Sequence, residues 1–450
     1  MVWARDLAAD LLLQIHAQGG RVRDALVRLR GHASDARERA LLTELAYGTL
    51  RQQGALDAVA SAFSRRPLDT LDAAARVALR LGLYQLLYLD RVPAPPAVDQ
   101  AVGWTRAKAG PGAAGFVNGV LRSTLRGLSG LAQGAEDPRR DLPREDGSAL
   151  RFADPIFPDP ELALAANLSA RYAMPTWLVE RRLARWGAAR TLAVLRAEQM
   201  RPGVTLRVRR GGADALRQSL KGIDAAVRLG PIDGSVLLPG GDGGGLAVIE
   251  QGLAYVQDAS AQRVAPLLEP RSGQRLLDLC AAPGGKALHL ADLLGNAGEV
   301  VACDLEPRKV EGLAELARFV PAGVRWRAVR VPEGGPLPFA PASFDGILVD
   351  APCSNTGVLR RRVEARWRLG PQAPAQLAVV QLGLLKRALP LLKPGGRLVY
   401  STCSLEPEEN EEVVAALLAA EPTLRVEGGF DVAPSADADG GFARVFRQGP

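Results

Sequence analysis

The sequence predicts a multidomain protein: an all-α N-terminal bundle, a small α+β middle domain and a C-terminal α/β domain. Three observations predict it. Apolar residues recur at helical spacing through residues 1–128. Residues 129–160 are rich in Gly, Pro, Asp and Arg and show little periodicity. Beyond residue 251, short apolar runs alternate with helical stretches, the signature of a parallel sheet with helices on both faces.

In chain order, Leu7, Leu11, Leu12 and Ile15 share one helical face, as do Val77, Leu81, Tyr84 and Tyr88. Pro93, Pro95 and Pro96 interrupt the pattern. A helix resumes near Ala97 and another begins near Gly115, so about five to seven helices make a bundle over 1–128. The composition of 129–160 reads as a partly mobile linker. Helical patterning returns from Pro160 to about Arg196 and carries Trp177 and Trp186, which read as core anchors. Gly203–Val208 alternates like a strand. A helix near Ala213–Leu220 and strands near Val236 and Leu246 complete the middle domain, 161–250. The Gly240–Gly245 run reads as a flexible loop, since it lacks the Lys-Ser/Thr of a phosphate-binding P-loop. From Gln251 onward, strands are expected near Leu276–Leu279, Val300–Cys303, Val324–Val329, Ile347–Val349 and Leu398–Tyr400. The pieces at Leu424–Val426 and Val445–Phe446 suggest an antiparallel edge hairpin.

The totals narrow the function classes. At 450 residues and 47% hydrophobic content the chain has ample length for a sizeable core. No apolar run reaches the roughly 18 residues of a spanning helix. Leu71 to Leu89 comes closest and is broken by Asp72, Arg76 and Arg80. With no signal-peptide pattern at the N-terminus, a cytoplasmic location is expected. The net charge of +7 is uneven: residues 1–128 hold 17 Arg and Lys against 11 acids, and residues 171–217 hold 11 Arg against 3 acids. The remainder is therefore acidic on balance, and basic blocks outside the C-terminal domain point to a polyanion, most simply nucleic acid. The competing account is an Arg-rich composition with solvated faces, since only 6 of the 56 basic residues are Lys. The four cysteines, Cys280, Cys303, Cys353 and Cys403, show no C-x-x-C spacing, so zinc and thioredoxin-like readings lack support. No metal is expected.

Two stretches carry the chemistry. Asp350-Ala351-Pro352-Cys353-Ser354-Asn355-Thr356-Gly357 follows the apolar run Gly346–Val349, and Ser401-Thr402-Cys403-Ser404 follows Gly396–Tyr400. In open α/β sheets ligands bind beyond the carboxyl ends of strands. Cys353 and Cys403 would then share one rim, one as nucleophile and the other helping the product leave. A third stretch, Asp278-Leu279-Cys280-Ala281-Ala282-Pro283-Gly284-Gly285-Lys286, follows the first strand and opens a helix. Its small residues let the backbone approach a ligand, and the helix offers free N–H groups. It matches neither G-x-G-x-x-G nor a P-loop, and Pro283 removes an N–H, so a ligand with little phosphate fits better than a dinucleotide. Asp304, at the end of the second strand, suits ribose hydroxyls. A nucleoside without pyrophosphate suggests S-adenosylmethionine. A tight turn with a helix cap at Asp304 is the bland alternative.

These motifs resemble those of the RNA cytosine-C5 methyltransferases, the Nol/Nop/Sun family. The order of domains is similar to the bacterial RsmB (Sun/Fmu) type, which methylates 16S ribosomal RNA. Leu81–Tyr88, Val98–Val102 and Gly115–Arg122 together resemble the NusB-type RNA-binding domain. The resemblance implies a NusB-like bundle and a Rossmann-like S-adenosylmethionine-dependent catalytic domain over 251–450. It also implies 16S rRNA as partner, with the protein a monomer. It assigns Cys403 as the nucleophile that adds to cytosine C6 and Cys353 as the residue that assists release. Asp350 would meet the N3/N4 edge of the base, and Lys286 would supply positive charge in the same pocket. Cys280, Ala281, Ala282, Pro283, Gly284, Gly285, Lys286, Asp304 and Asp350 would hold the cofactor. Cys280 and Cys303 otherwise read as structural. Glu408-Glu409-Asn410 reads as a helix opening, where acids suit the dipole, and Arg360, Arg361, Arg362, Arg366 and Trp367 as a hold on the RNA backbone or a solvated basic face. One departure stands out: where the family's third strand ends in an acid that meets adenine, this chain has Val329 and Arg330, with no acid until Glu333. Two alternatives stay open, a tRNA cytosine-C5 methyltransferase and a non-catalytic RNA-binding ribosome-assembly factor. A DNA methyltransferase fits worse, because in that family the attacking cysteine lies in the earlier motif.

Overall fold

The computed structural model describes residues 3–209, 227–238 and 246–449, with residues 214, 216, 218 and 220 of the stretch between. The chain divides into two compact units, Met1–Arg201 with Leu359–Leu369, and Pro202–Val358 with Gly370–Pro450.

In the first unit, helices span Ala4–Gln18, Val22–Leu29, Ala36–Arg51, Gln53–Ala62, Ala73–Tyr88 and Ala94–Gly127. Asp35 and Asp72 cap two of them by accepting the Glu38 and Ala74 N–H groups, a device that satisfies otherwise orphaned donors. The long helix breaks at Gly110, where φ is 84°, ahead of the expected start near Gly115. Leu7, Leu11, Leu12, Val77, Leu81 and Tyr84 are buried in the common core.

Residues 129–160 differ from the expected mobile linker. They form an antiparallel sheet of β1 (Leu128–Leu131), β2 (Asp141–Pro143) and β3 (Ala149–Phe152), in the order β1-β3-β2. Leu142, Phe152, Ile156 and Phe157 join the core of the helices, and buried Asp141 pairs with Arg151 at 2.6 Å. Strands of three or four residues are too short to write a visible period into so polar a stretch.

Helices Pro160–Arg171 and Thr176–Gln199 complete the run. Trp177 packs against a cluster that includes Leu168, Tyr172 and Leu178. Trp186 is not a core anchor: it is half-buried, with the guanidinium groups of Arg185 and Arg190 over its ring at 5.5 and 5.1 Å. Arg182 and Glu198, both buried, form a two-pronged ion pair at 2.6 and 2.8 Å.

Segment 359–369 corrects the reading of its basic run. Arg360 and Arg366 are each 1% exposed. The Arg366 guanidinium donates to the carbonyls of Arg51 (2.9 Å) and Ala173 (3.3 Å), and the Trp367 indole donates to the Leu50 carbonyl (2.9 Å). Burial lowers the Arg366 pKa to about 9. Buried carbonyls take these donors, so Arg366 and Trp367 brace the first unit and do not grip a phosphate backbone.

The second unit opens with a four-stranded antiparallel sheet of β4 (Val204–Val208), β5 (Arg228–Leu229), β6 (Ser235–Leu238) and β7 (Ala254–Val256), ordered β5-β6-β4-β7. Because β7 pairs with β4, this small sheet draws its last strand from beyond the expected boundary at 250. Leu246 begins a short helix, Leu246–Glu250, not a strand. Asp214, Leu216, Gln218 and Leu220 are helical, as read from the sequence; the Gly240–Gly245 run lies outside the described residues. Arg207 and Arg209 reach Asp292 on helix Gly285–Leu294 at 2.7 and 2.6 Å, tying the small sheet to the helix behind the candidate cofactor loop.

The main sheet has seven strands: β8 (Arg275–Asp278), β9 (Gly298–Asp304), β10 (Val324–Arg330), β11 (Phe344–Asp350), β12 (Leu392–Thr402), β13 (Leu424–Val432) and β14 (Gly441–Gln448). Their order is β10-β9-β8-β11-β12-β14-β13. The first five are parallel, and β14 and β13 add the antiparallel hairpin at one edge. All five expected strands and the hairpin are present. Leu277, Val301, Ile347, Leu348, Val349, Leu398 and Val399 are fully buried, as continuous apolar runs must be when helices cover both faces. The strand order reverses between β8 and β11, which places a crevice at their carboxyl ends. Among the described residues no helix is long and apolar enough to cross a membrane.

Candidate functional site

Pairing of β11 with β12 sets the site's register. Asp350 lies opposite Ser401, and the chains continue from there to Cys353 and Cys403. The two thiols meet, Sγ to Sγ, at 3.0 Å. Two backbone bonds keep the loops together beyond the strands: the Ala351 N–H donates to the Ser401 carbonyl and the Gly357 N–H to the Cys403 carbonyl, both at 2.9 Å. A Cβ on Gly357 would stand 2.8 Å from that same carbonyl, so only glycine allows the approach. Asn355 takes a left-handed conformation (φ 64°), which asparagine tolerates better than most residues. Its amide donates to the Cys353 carbonyl at 2.7 Å, and its Oδ1 accepts from the Cys403 thiol at 3.4 Å. The hydrogen bond with Cys403, then burial and the nearby charge of Glu409, hold the Cys353 pKa well above the usual thiol range. At neutral pH Cys353 is a protonated thiol.

Lys286, in the first turn of helix Gly285–Leu294, is 2.6 Å from Asp350 Oδ2, while the Ser401 hydroxyl donates to Asp350 Oδ1 at 2.6 Å. Burial opposes the ammonium charge, but the Asp350 carboxylate, and behind it Cys403 and Asp278, outweigh it and raise the Lys286 pKa. The lysine is a firmly charged group beside the cysteine pair.

Asp278 ends β8 with no exposure, and its carboxylate has no side-chain hydrogen-bond partner, only the nearby Cys280 N–H. Burial, then repulsion from Asp350, raises its pKa to about 8 against the pull of Lys286. The loop after Asp278 turns through a cis Ala282–Pro283 peptide. Gly284 has φ 107°, and a Cβ there would fall 2.1 Å from a Leu316 methyl; one on Gly285 would fall 2.9 Å from the Tyr255 ring. The two glycines are thus required by the loop's own neighbours. Asp304 ends β9, and its Oδ1 accepts the Glu306 N–H at 3.1 Å, the turn role foreseen as the bland alternative. Burial raises the pKa of both Cys280 and Cys303 above the thiol range, which disfavours a thiolate at either.

These residues fit S-adenosylmethionine. Asp278, Asp304 and Asp350 stand near enough for their charges to interact, and the Asp278 carboxyl, without a side-chain partner, calls for a positive neighbour. A sulfonium and an ammonium meet that need, whereas a phosphate would be repelled. Arg330 pairs beside Asp304 at the end of β10 and is exposed, so no acid stands at that strand end. The loop beyond it is strapped instead: the Arg387 guanidinium donates to the carbonyls of Pro332, Glu333 and Gly335 at 2.8, 2.9 and 2.8 Å. Among the described residues no group of three or more His, Cys, Asp or Glu is placed to hold a metal.

The sequence reading missed Glu409. The expected helix opening is there, with the turn Pro407–Glu409 leading into helix Glu411–Ala420, but Glu409 is fully buried within it. Ser354 and Ser404, equally buried, bond to its carboxylate. One signal was legible, the repeat of a Cys-Ser pair at 353–354 and 403–404.

Comparison with known proteins matches two parts of the chain to two families. Residues 265–435 match the family model of the 16S rRNA methyltransferase RsmB/F, and residues 3–126 match that of the NusB family. The chain is 33% identical over 426 residues to a probable ribosomal RNA small subunit methyltransferase B of Bacillus subtilis, covering 93% of this chain and 88% of that one. It is 34% identical over 432 residues to ribosomal RNA small subunit methyltransferase B of Klebsiella pneumoniae, covering 93% and 90%. In fold it is similar to the crystal structure of PH0851, with a TM-score of 0.75 at 22% identity over 100% of this chain and 99% of that one. It is also similar to a methyltransferase homolog protein from Pyrococcus horikoshii, with a TM-score of 0.52 at 24% identity over 64% and 99%.

Proposed function

This chain belongs to the S-adenosylmethionine-dependent RsmB/F family of 16S rRNA methyltransferases, and from that premise we propose that it methylates C5 of a cytosine in small-subunit ribosomal RNA through a covalent bond from Cys403 to the ring. The observation that carries this reading is the 3.0 Å contact between Cys353 and Cys403, beside the Lys286–Asp350 pair at 2.6 Å.

Cytosine C5 is a poor nucleophile while its ring is conjugated. When the Cys403 thiolate adds to C6, the S–C6 bond forms and the C5–C6 π electrons become available at C5. Asp350, steadied by Lys286 and Ser401, accepts from the N4 amino group and favours a proton at N3. Lys286 keeps a positive charge beside the pocket. The 278–286 loop and Asp304 would hold S-adenosylmethionine, which would supply a methyl group to C5 as its sulfonium–methyl bond breaks, leaving S-adenosylhomocysteine. Loss of the C5 proton to a base then re-forms the C5–C6 double bond, and the S–C6 electrons return to Cys403. The Cys353 thiol donates a hydrogen bond to that departing sulfur, a role for which it must remain protonated. With no acid at the end of β10, backbone groups of the strapped 331–335 loop would be left to make the adenine contact.

The test is methyl transfer from labelled S-adenosylmethionine to undermethylated 16S RNA, with tRNA offered in parallel. Wild type is expected to make 5-methylcytidine in the 16S RNA. Cys403→Ala should make none, and Cys353→Ala should accumulate an RNA adduct that survives denaturing electrophoresis. Wild-type protein that binds RNA but methylates none would overturn the reading in favour of a non-catalytic assembly factor; transfer confined to tRNA would change the substrate.

A further inference from the structure

The two cysteine loops are separate in sequence and share backbone bonds beyond the strands only at Ala351–Ser401 and Gly357–Cys403. Apart from these, one buried carboxylate takes donors from both loops. Glu409 Oε1 accepts the Ser354 N–H at 2.8 Å and the Gln381 amide at 3.0 Å. Its Oε2 accepts the hydroxyls of Ser354 and Ser404, which are themselves 3.1 Å apart. Four donors on two oxygens saturate an ionised carboxylate, which has no donor of its own. Gln381 extends the grip: its amide also donates to the Pro352 carbonyl at 2.9 Å, and its Oε1 accepts the Tyr400 hydroxyl at 2.9 Å. On the far side Asn410 ties back to the Ser404 carbonyl at 2.9 Å and accepts the Thr402 hydroxyl at 2.6 Å. Every one of these side chains is buried.

Burying an acid to no purpose is costly, and here the acid sits at the junction of the two residues next to the cysteines. We propose that Glu409 is the positioning residue of this site: its single carboxylate clamps the two loops through Ser354 and Ser404 and so sets the distance between Cys353 and Cys403. The clamp's bearing on catalysis rests on the two-cysteine reading above; its bearing on geometry does not. The charge has a second consequence, since Glu409 is among the groups that keep Cys353 protonated.

The experiment separates geometry from methylation. Diamide takes two electrons and two protons from a pair of adjacent thiols, leaving a disulfide and a hydrazine, and its rate reports how often the sulfurs meet. Glu409→Gln conserves volume but turns one acceptor into a donor, so either the two serine hydroxyls or the Ser354 N–H and the Gln381 amide lose their acceptor. In a variant that still unfolds cooperatively, closure of the Cys353–Cys403 disulfide should slow by about 10- to 100-fold, with kcat falling alike and KM for RNA unchanged. Should Glu409→Gln fail to fold, the double variant Ser354→Ala/Ser404→Ala carries the same measurement. A folded variant that cross-links at the wild-type rate overturns the proposal. If wild type methylates no RNA yet the cross-link slows in the variant, the clamp stands and the functional reading falls.

Discussion

Replacing Asp278 by Asn should remove a loss of stability that the second unit otherwise suffers as pH rises toward about 8. Its carboxyl stands at about 8 in the folded chain, against an ordinary 3.8. The folded state therefore keeps a proton that the unfolded chain releases above 3.8. The stability this group contributes is whole below that value and is lost as pH rises through about 8. The slope for one proton is about 1.4 kcal/mol per pH unit. Moving from about pH 5.5 to about pH 7.5 should thus cost the wild type about 3 kcal/mol relative to Asp278→Asn. Urea unfolding followed by fluorine NMR of fluorotryptophan-labelled protein isolates the effect, because Trp326 is the one tryptophan in the second unit. The same acid should gain a cationic partner when S-adenosylmethionine binds. Cofactor affinity should therefore climb with pH toward about 8 in the wild type and stay flat in the variant. Unfolding midpoints of the two proteins that keep a constant separation across this range would refute the assignment of a protonated Asp278 with no side-chain partner.

Two further substitutions probe the scaffold. Gly284→Ala puts a side chain where φ is 107° and Leu316 is already in place; it should destabilise the second unit by about 1–3 kcal/mol and weaken cofactor binding in calorimetry, and an unchanged Trp326 unfolding midpoint would count against it. Arg182→Met leaves the fully buried Glu198 carboxylate without its two-pronged partner. The loss expected is about 3–5 kcal/mol, read from the Trp177 and Trp186 resonances in urea, and no shift would show that the pair is not what supports this helix.

The main sheet was legible because its signals are local. Residues 276–279, 300–303, 347–349 and 398–400 are short apolar runs, and a strand buried on both faces needs little else to be recognised. The motif at 278–286 is contiguous, and once the strands on either side of Asp350 and Ser401 are read as parallel, Cys353 and Cys403 must emerge at one rim. Trp186, Leu246 and the 129–160 stretch were misread for the opposite reason. A tryptophan at helical spacing, a leucine after a glycine run and strands of three residues say nothing of what packs over them.

By itself, then, the sequence determined the order of helical and α/β parts, the family, and the pairing of two cysteines with Lys286 and Asp350 at the end of a sheet. Only the tertiary structure decided which charged residues are buried. In sequence Glu409 reads as part of a helix opening and Arg366 as part of a solvated or RNA-facing basic run, because an unpaired charge is too costly to remove from water. Their partners, Ser354 for Glu409 and Arg51 for Arg366 among them, lie 55 and 315 residues away along the chain. A charge can be buried only after distant donors have converged on it, and that convergence is a property of the folded chain, not of any stretch of it.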